Sequence, residues 1–392
     1  MNYQDICPHD SCTGCMACLS SCAHTAIVLT EDSLGFAYPK IDTSKCVGCG
    51  LCEAVCPANH PVSRLFPQKC YALAGPEGLL RDTASGGAAT VLSRHVTGRG
   101  GVVYGCSGED IRDVRHIRIQ SVEEISRLQG SKYVQSKTEG IFREVRKDLS
   151  DGRKVLFIGT PCQIGGLRNY LRRDWDNLIT VDLVCHGVPS QRLLNENIDN
   201  HKKRYPRLVE DSVAFRLKKD FDSPRARISY GFYFRPAPGE DLKSIRWYDD
   251  PFMLGFLGAA TMRTSCYECP YAYNVRASDL TLSDFWGLGR DAGFKSGRGV
   301  SSVLVNTSRG AGFWQEVLSA LPAGIGVRER KIQESITGNG QLMCPTRRYP
   351  SVDLFRSLYP QEGLKKAIFK SLRRKRLKAR LLRYIKSLKK LL

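Results

Sequence analysis

The 392-residue sequence lacks the segments that carry a chain into or across a membrane. Its first residues, Met1–Asp5, show no basic stretch followed by an apolar one, as a secretory signal would require. The longest apolar stretch, Pro251–Met262, is shorter than the ~20 residues of a membrane span. We therefore expect a cytoplasmic protein whose sixteen cysteines are kept reduced.

Acidic residues are absent from the C-terminal segment Lys365–Leu392, which holds 13 of the 59 lysines and arginines. Much of the net charge of +20 therefore belongs to this tail. Apolar residues recur in it at three- and four-residue steps, which predicts one apolar helical face: Leu377, Leu381, Ile385, Leu388 and Leu392. Such a helix suits the anionic inner face of a membrane, and docking on the protein body or a partner is the alternative. Because the charge is so localised, we expect no specific nucleic-acid partner.

Eight cysteines form two nearly identical C-x2-C-x2-C-x3-C runs, the second of which is followed by Pro57. This is the ligand pattern of ferredoxins with two 4Fe–4S clusters, in which the fourth cysteine of each run binds the other cluster. The predicted ligands are Cys12, Cys15, Cys18 and Cys56 for one cluster, and Cys46, Cys49, Cys52 and Cys22 for the other. Zinc and disulfides are the alternatives, but zinc motifs usually pair only two C-x2-C units.

The patterning along the chain predicts an α+β protein in three parts. These are a bacterial-type ferredoxin module (1–62), a mixed α/β domain (69–345) and a basic helical tail (361–392). Alternating or glycine-bounded apolar runs predict a hairpin at Ala26–Asp42 and strands at Gly101–Cys106, Lys154–Gly159, Ile179–Val184, Val209–Phe234, Asp279–Phe285 and Val300–Asn306. Helices are predicted around Phe142–Leu149 and Ala311–Leu321, and a loop at Pro345–Pro360.

Four further cysteines lie after predicted strands or in a C-x2-C unit, where α/β folds build sites: Cys162, Cys185, Cys266 and Cys269. By spacing alone, a third 4Fe–4S cluster, a zinc ion and simple buried thiols all fit. The remaining cysteines have no motif, and we expect core thiols there: Cys7, Cys70, Cys106 and Cys344. His186, beside Cys185, is either a proton donor or a hydrogen-bonded loop residue, and no catalytic residue is assigned.

Three glycine-containing segments could approach phosphates through backbone N–H groups, although none matches G-x-G-x-x-G or a P-loop. They contain Ser85, Gly86 and Gly87; Gly130, Ser131, Lys132 and Tyr133; and Gly159 and Thr160. Individually, a tight turn is the simpler interpretation of each.

Six ordered motifs resemble the beta subunit family of coenzyme F420 hydrogenases and dehydrogenases. They are Thr83–Gly87, Gly130–Ser136, Phe157–Gln163, Cys185–Ser190, Cys266–Cys269 and Ser278–Gly287. The resemblance covers roughly residues 70 to 340, and an N-terminal ferredoxin module is common in that family.

The resemblance implies FAD beside a third 4Fe–4S cluster held by the four further cysteines. It places FAD over the three glycine-containing segments and near Asn306 and Thr307. The implied function is that of an FAD-dependent iron–sulfur oxidoreductase that exchanges hydride with coenzyme F420 or another small conjugated molecule. A non-catalytic electron-transfer subunit is the alternative, and both would use a redox partner protein or ferredoxin. An iron–sulfur sensor that binds nucleic acid is a third hypothesis, motivated only by the net charge.

Overall fold

The computed structural model describes residues 3–223, 226–294 and 296–388. The strands are β1 (Tyr3–Asp5), β2 (Ile27–Glu31), β3 (Ala37–Asp42), β4 (Lys69–Ala74), β5 (Val102–Ser107), β6 (Arg115–Ile119), β7 (Val155–Gly159), β8 (Leu178–Leu183), β9 (Val209–Lys219), β10 (Arg227–Arg235), β11 (Lys243–Arg246), β12 (Leu280–Asp284), β13 (Ser301–Val305) and β14 (Gly326–Arg330).

The α-helices are α1 (Ala17–Ser21), α2 (Leu51–Ala54), α3 (Glu77–Asp82), α4 (Ala88–Thr97), α5 (Ile141–Ser150), α6 (Pro161–Leu171), α7 (Gln191–Lys202), α8 (Pro251–Leu257), α9 (Ser308–Ser319), α10 (Ile332–Gly338), α11 (Pro350–Ser371) and α12 (Arg373–Leu388). Short 3-10 helices are His9–Ser11, Glu123–Leu128, Thr264–Glu268, Arg290–Ala292, Ser296–Arg298 and Gly340–Leu342. Within the described ranges, no helix combines the length and the apolar character needed to cross a bilayer.

The N-terminal segment is built on a small antiparallel sheet of order β1-β3-β2, as the predicted hairpin requires. The turn between β2 and β3 closes because the Asp32 carboxylate accepts the backbone N–H groups of Leu34 and Phe36. Gly35 in this turn has φ of 81°, a conformation that glycine adopts without strain. The two cysteine runs flank this sheet.

The main domain is built on an eight-stranded mixed sheet of order β14-β4-β13-β12-β8-β7-β5-β6. The strands β5, β7, β8 and β12 are parallel, and β4 shares their direction because it pairs antiparallel to β13, which is antiparallel to β12. Residues that follow these five strands therefore lie at one edge of the sheet, called here the carboxyl edge. The mixed α/β architecture after a ferredoxin-like segment confirms the predicted fold class.

The apolar runs in the sequence predicted the central strands correctly because these strands are buried in the core. Strands β5, β7 and β8 are covered by helices, so their side chains are buried on both faces and their sequences are almost continuously apolar. On α5, the apolar side chains of Phe142, Val145 and Leu149 are buried, and they share one face of the helix. A second sheet, β11-β10-β9, packs with α7, α8 and α11 around another apolar core.

The prediction of a loop at Pro345–Pro360 is wrong from Pro350 onward, because α11 begins at that residue. Proline is compatible with the first turn of a helix, where its missing N–H has no intrahelical partner. Val352 and Phe355 are fully buried from this helix, so tertiary packing selects it. Gly363, with φ of 70°, breaks α11 before its last turns.

The first part of the segment predicted as a tail (361–392) packs against the rest of the protein. After the break at Gly363, the side chains of Leu364, Ala367 and Ile368 are buried in the same core as α8. Only α12, from Arg373 onward, leaves the core. Of the predicted apolar face, Leu392 lies outside the described residues and the side chain of Leu388 is not described.

Candidate functional site

Four cysteines from three loops line one cavity at the carboxyl edge: Cys162, Cys185, Cys266 and Cys269. Cys162 lies in the first turn of α6 after β7, and Cys185 follows β8, so two adjacent parallel strands deliver two thiols to one place. The other two come from the middle of the 3-10 helix Thr264–Glu268, which contains Cys266, and from the residue that follows this helix, Cys269. The empty space that these residues line amounts to about 610 Å³, part of which is open to solvent.

The chemistry of this cavity fits a thiolate-bound centre. Burial raises the pKa of Cys185 to about 12 and that of Cys269 to about 11, and the nearby Cys162 acts in the same direction. Such thiols become thiolates when a metal centre supplies positive charge. Among the described residues that line the cavity there is no carboxylate, so the donors are soft sulfur atoms. Nowhere in the described ranges do three His, Cys, Asp or Glu side chains surround a single-ion site.

The first ferredoxin set lines a second cavity, with about 470 Å³ of empty space that is again partly open to solvent. The structure brings the last cysteine of the second run to three cysteines of the first run: Cys12, Cys15, Cys18 and Cys56. All sixteen cysteines of the chain are free thiols. The donor set therefore fits a group bound by four thiolates.

A fifth thiol, Cys7, also lines this cavity, although it has no motif and was expected to be a simple core thiol. Hydrogen bonds with Cys12 and Cys56 raise the pKa of Cys7 well above its usual value. The same bond from Cys7 lowers the pKa of Cys12 to about 6. The short spacing between Cys7 and the first run was the only sequence signal for this contact.

The second ferredoxin set faces solvent. Cys46 and Cys49 are exposed, whereas Cys52 and Cys22 are partly buried. In the loop that carries the first two, the N–H of Gly48 donates to the Cys46 sulfur at 3.4 Å, as backbone groups do around thiolate ligands. Val47 is 61% exposed on this loop.

The two buried cysteine sets are neighbours. Thr13, inside the first cysteine run, lines both cavities. The Ser265 hydroxyl, next to Cys266, donates to the carbonyl oxygen of Cys12 at 3.1 Å. On its other side the first set contacts the second, because Cys22 and Cys52 pack against the apolar cluster that contains Cys18 and Cys56. The first set therefore contacts both of the other sets.

Side chains of the main domain fix the first cysteine run by donating hydrogen bonds to its backbone. The Thr138 hydroxyl donates to the Cys15 carbonyl at 3.0 Å, and the Gln135 amide donates to the Thr13 carbonyl at 3.0 Å. The Arg143 guanidinium donates to the Cys22 carbonyl at 2.7 Å. Sequence reasoning missed these residues, although Gln135 lies within a recognised motif.

The predicted flavin segments are not all brought together. The segments at 85–87, 130–133 and 159–160 lie at the carboxyl edge or beside it. Asn306 and Thr307 follow β13, which runs antiparallel to β12, so they lie at the opposite edge. There the buried Asn306 amide donates to the Ser278 carbonyl at 3.1 Å, and the Thr307 hydroxyl donates to Asp279 at 2.7 Å. The placement of these two residues near a carboxyl-edge flavin is therefore corrected.

Two of the remaining segments use their backbone N–H groups within the protein. The N–H of Gly86 donates to the Ser301 hydroxyl at 3.0 Å, and that of Thr160 donates to the Gln163 side chain at 2.9 Å in a capping box. A Cβ on Gly86 would lie 2.0 Å from the Leu73 carbonyl oxygen, so only glycine lets this segment pack so closely against the end of β4. These two segments shape the edge and do not offer those N–H groups to a phosphate.

The segment at 130–133 differs because it carries a half-buried cation. The Lys132 ammonium donates to the carbonyl oxygens of Leu128 at 2.9 Å and Gln129 at 2.6 Å. Both of these hydrogen bonds of the ammonium go to carbonyl oxygens and not to a carboxylate, and burial lowers the pKa of Lys132. Next to it, the Tyr133 ring stacks on Phe256 at 4.7 Å between ring centroids. This segment is the part of the predicted flavin site that carries a positive charge and an aromatic ring, and it does not line the carboxyl-edge cavity.

His186 lines the carboxyl-edge cavity beside Cys185. Its Nδ1 lies 3.2 Å from the Gln341 amide and 3.3 Å from the Thr346 hydroxyl. Its Nε2 is buried and has no hydrogen-bond partner among the described residues, and burial lowers the pKa of the ring. The residue is thus fixed at one nitrogen and unsatisfied at the other.

Comparisons with known proteins agree with this arrangement of two parts. Residues 152–323 match the family described as coenzyme F420 hydrogenase/dehydrogenase, C terminus of the beta subunit, and residues 11–60 match the 4Fe-4S dicluster domain. Among solved structures, a chain of the F420-reducing NiFe hydrogenase complex from Methanosarcina barkeri aligns with a TM-score of 0.46 at 16% identity, over 79% of this chain and 91% of that one. No curated protein matches the chain significantly. The chain is therefore similar, over residues 152–323, to the C terminus of the coenzyme F420 hydrogenase/dehydrogenase beta subunit, and at its N-terminus to the 4Fe–4S dicluster domain.

Proposed function

We propose that this protein is an FAD-dependent iron–sulfur oxidoreductase that passes electrons between ferredoxin-type 4Fe–4S clusters and FAD, with hydride exchange to coenzyme F420 or another small conjugated molecule. The observation that carries the proposal is the row of three four-cysteine sets, which runs from an exposed loop to a cavity at the carboxyl edge. The dicluster domain and the family both support electron transfer in a redox complex.

The three cysteine sets would each hold one 4Fe–4S cluster, and the third would be held by Cys162, Cys185, Cys266 and Cys269. When bound, FAD exchanges two electrons as a hydride and the clusters exchange single electrons, so the two kinds of cofactor together link substrate chemistry to a one-electron carrier. The chain itself shields Cys15, Cys18 and Cys56 of the first set from water, and it partly buries the four thiols of the third set. It also fixes the ligand loops by the side-chain contacts to Cys12, Cys15 and Cys22.

The FAD would be held chiefly by the 130–133 segment. Among the described residues, the half-buried Lys132 ammonium donates only to neutral carbonyl oxygens, and a pyrophosphate would supply a negative charge beside it. Tyr133 would offer an aromatic face, and Gly130, whose φ is 81° and whose Cβ position is open, lets the backbone approach a ligand. The segments at 85–87 and 159–160 would form the walls of the same site.

The decisive experiment is to purify the chain anaerobically and measure iron, acid-labile sulfide and FAD per protein. About twelve irons, an equal number of sulfides and one FAD support the proposal. About eight irons without flavin would overturn it in favour of a simple carrier. Zinc in place of about four of the irons would assign the carboxyl-edge set to zinc.

A non-catalytic electron-transfer subunit is the second candidate, favoured by the exposed Cys46 and Cys49. An exposed set would let a redox partner protein or ferredoxin dock directly on this loop, where the apolar Val47 offers contact area. Turnover of the isolated chain with reduced coenzyme F420 and an artificial one-electron acceptor would separate the two candidates. An enzyme turns over without its partner, whereas a simple carrier does not.

We also propose that α12 lies on an anionic membrane surface. Its apolar side chains are exposed, Leu381 at 59% and Leu377 at 54%, and it has no acidic residue. Each lysine or arginine near an anionic lipid surface contributes about 1 kcal/mol. An apolar stripe with basic flanks therefore fits a helix lying in the interface plane.

A further inference from the structure

Arg263 occupies the boundary between the first ferredoxin set and the carboxyl-edge set. It lies three residues before Cys266, and its side chain reaches into the loop of the first cysteine run. Its Nε donates to the Cys12 carbonyl oxygen at 2.7 Å, and its Nη2 lies 3.4 Å from the Cys12 sulfur. The same Nη2 donates to the Ala37 carbonyl at 3.0 Å, and Nη1 donates to the Gln135 amide oxygen at 3.2 Å.

The guanidinium is buried among aromatic rings. The residue is 1% exposed, and its guanidinium carbon lies 4.1 Å from the centroid of the Tyr38 ring and 5.5 Å from that of Phe36. These rings exclude water, and they attract a cation only weakly compared with a full negative charge. The charge of Arg263 is therefore held in a medium where electrostatic interactions are strong.

What distinguishes Arg263 from other buried arginines is the absence of a carboxylate partner in the described chain. Arg276, also 1% exposed at its side chain, pairs with Asp182 at 2.9 Å, and Arg216 pairs with Asp284 at 2.6 Å. Arg263 forms no such ion pair with any residue of the described ranges. A buried cation without an anion is strongly destabilising. Of the described groups in contact with Arg263, burial raises the pKa of the Tyr38 phenol and so keeps it neutral, whereas the Cys12 sulfur carries negative charge as a thiolate ligand.

We infer that Arg263 is the counter-charge of the centre held by Cys12, Cys15, Cys18 and Cys56, and that it raises the reduction potential of that centre. The inference rests on the proposed function, because it requires a 4Fe–4S cluster in this set. One-electron reduction adds one negative charge to the thiolate-bound cluster, and no bond is formed or broken at Arg263. The guanidinium stays protonated throughout, so its positive charge stabilises the reduced form more than the oxidised form.

A purely structural role would leave part of the geometry unexplained. The Cys12 and Ala37 carbonyl oxygens and the Gln135 amide need hydrogen-bond donors, and a neutral side chain could supply them. The contact with sulfur and the missing carboxylate are the features that require a charge. Hydrogen bonds and net charge near a cluster are among the quantities that set its potential. Arg263 is therefore a positioning residue whose removal changes an equilibrium of the cluster as well as stability.

The test is a potentiometric titration of the anaerobic holoprotein with dithionite and redox mediators, followed by electron paramagnetic resonance. In Arg263→Gln we expect at least a tenfold shift of one cluster's one-electron equilibrium toward the oxidised form, which corresponds to about 59 mV. Arg356→Gln is the matched control, because Arg356 donates to Thr264 and to the Met262 carbonyl on the same loop without contacting a cysteine. Its effect should be well below that of Arg263→Gln.

Arg263→Lys separates charge from shape, since it keeps the positive charge and loses the guanidinium fork. A potential between those of the wild type and Arg263→Gln supports the inference. If Arg263→Gln loses about four irons, rescue of the iron by Arg263→Lys supports it as well. An unchanged potential in Arg263→Gln, or equal loss of iron in both variants, overturns it. A wild type without iron would instead refute the proposed function, so the two failures are distinguishable.

Discussion

Gly166 on α6 lies directly against Cys15 of the first cysteine run: a Cβ built on Gly166 would lie 2.7 Å from the Cys15 sulfur. The helix that begins beside Cys162 thus also forms the wall behind a thiol of the first set. Only a residue without a side chain allows α1 and α6 to approach so closely. This contact joins the ferredoxin module to the main domain at the point where the two buried cysteine sets meet.

Replacing Gly166 by alanine should therefore displace Cys15. We expect Gly166→Ala to lower the free energy of unfolding by about 1–3 kcal/mol, as overpacking does, and to reduce the iron bound by the first set. Thermal unfolding and iron analysis measure both effects. Gly312→Ala on α9 is the control, because no described atom lies within 4 Å of its Cβ position and it should stabilise the protein by up to about 1 kcal/mol. Equal stability changes in the two variants would contradict the close contact.

The exposed second set should be removable without loss of the flavin. Cys49→Ala should lose about four irons per chain and retain FAD, because Cys49 lies on the solvent-facing loop and lines neither cavity. The expectation that Cys344 is a core thiol is wrong, because this thiol is exposed and lies outside every set; Cys344→Ala should therefore leave the iron content unchanged. Iron and flavin analysis of both proteins checks this, and unchanged iron in Cys49→Ala would refute the ligand assignment.

The sequence predicted those parts of the molecule that depend on local pattern. Apolar runs located β5, β7 and β8 because these strands are buried on both faces, and the cysteine spacing predicted that Cys56 joins the first run. The helix that begins at Pro350 was missed because it is stabilised by the tertiary burial of Val352 and Phe355. No pattern within the segment itself indicates that burial.

The parts that were missed depend on strand direction and on contacts between distant segments. Asn306 directly follows a strand, as Cys185 does, but β13 is antiparallel and takes it to the opposite edge. Arg263 and Gln135 act through contacts with the first cysteine run, more than 120 residues away in sequence. Spacing within one segment carries no information on such contacts.

Lys132 should be needed for flavin binding if it balances the charge of the pyrophosphate. We expect Lys132→Met to weaken FAD binding at least tenfold, about 1.4 kcal/mol, and Lys132→Arg to retain part of the affinity. Fluorescence titration of the deflavinated protein measures the dissociation constant. Asn306→Ala is the control, because it removes hydrogen bonds at the opposite edge and should lower stability by about 1–3 kcal/mol without changing FAD affinity. Weaker FAD binding in Asn306→Ala would show that Asn306 does contribute to the flavin site.

His116 should make the protein less stable as the pH falls below neutrality. Burial lowers the pKa of His116 to about 4, and the neutral ring fits its contacts: Nε2 donates to the Ile158 carbonyl and Nδ1 accepts the Ser136 hydroxyl. An unfolded histidine has a pKa of about 6.5, so this contribution is complete above that pH and declines between about 6.5 and 4, by about 3 kcal/mol at most. The fall in Tm from pH 7 to pH 5 should be smaller in His116→Gln than in the wild type. An equal fall would show that His116 does not cause the pH dependence.

The membrane proposal requires a truncation that starts at Arg373 and not at Lys365, because Ala367 and Ile368 belong to the core. Deleting Arg373–Leu392 should abolish binding to vesicles that contain anionic phospholipid. It should change Tm little, since the ion pairs of Arg376 and Arg380 with Asp249 are near the surface and contribute less than about 1 kcal/mol each. Sedimentation with vesicles measures the binding, and neutral vesicles serve as the lipid control.

A charge-preserving variant distinguishes membrane insertion from simple electrostatic attraction. In the double variant Leu381→Asn and Ile385→Asn, every lysine and arginine of α12 remains while two exposed apolar side chains are lost. A helix that inserts its apolar face should lose most of its binding, because each buried apolar side chain contributes about 1.5–3 kcal/mol. Binding that is unchanged by the double variant but lost on truncation would show that the helix is held by charge alone. Binding that survives the truncation would remove α12 from the membrane contact altogether.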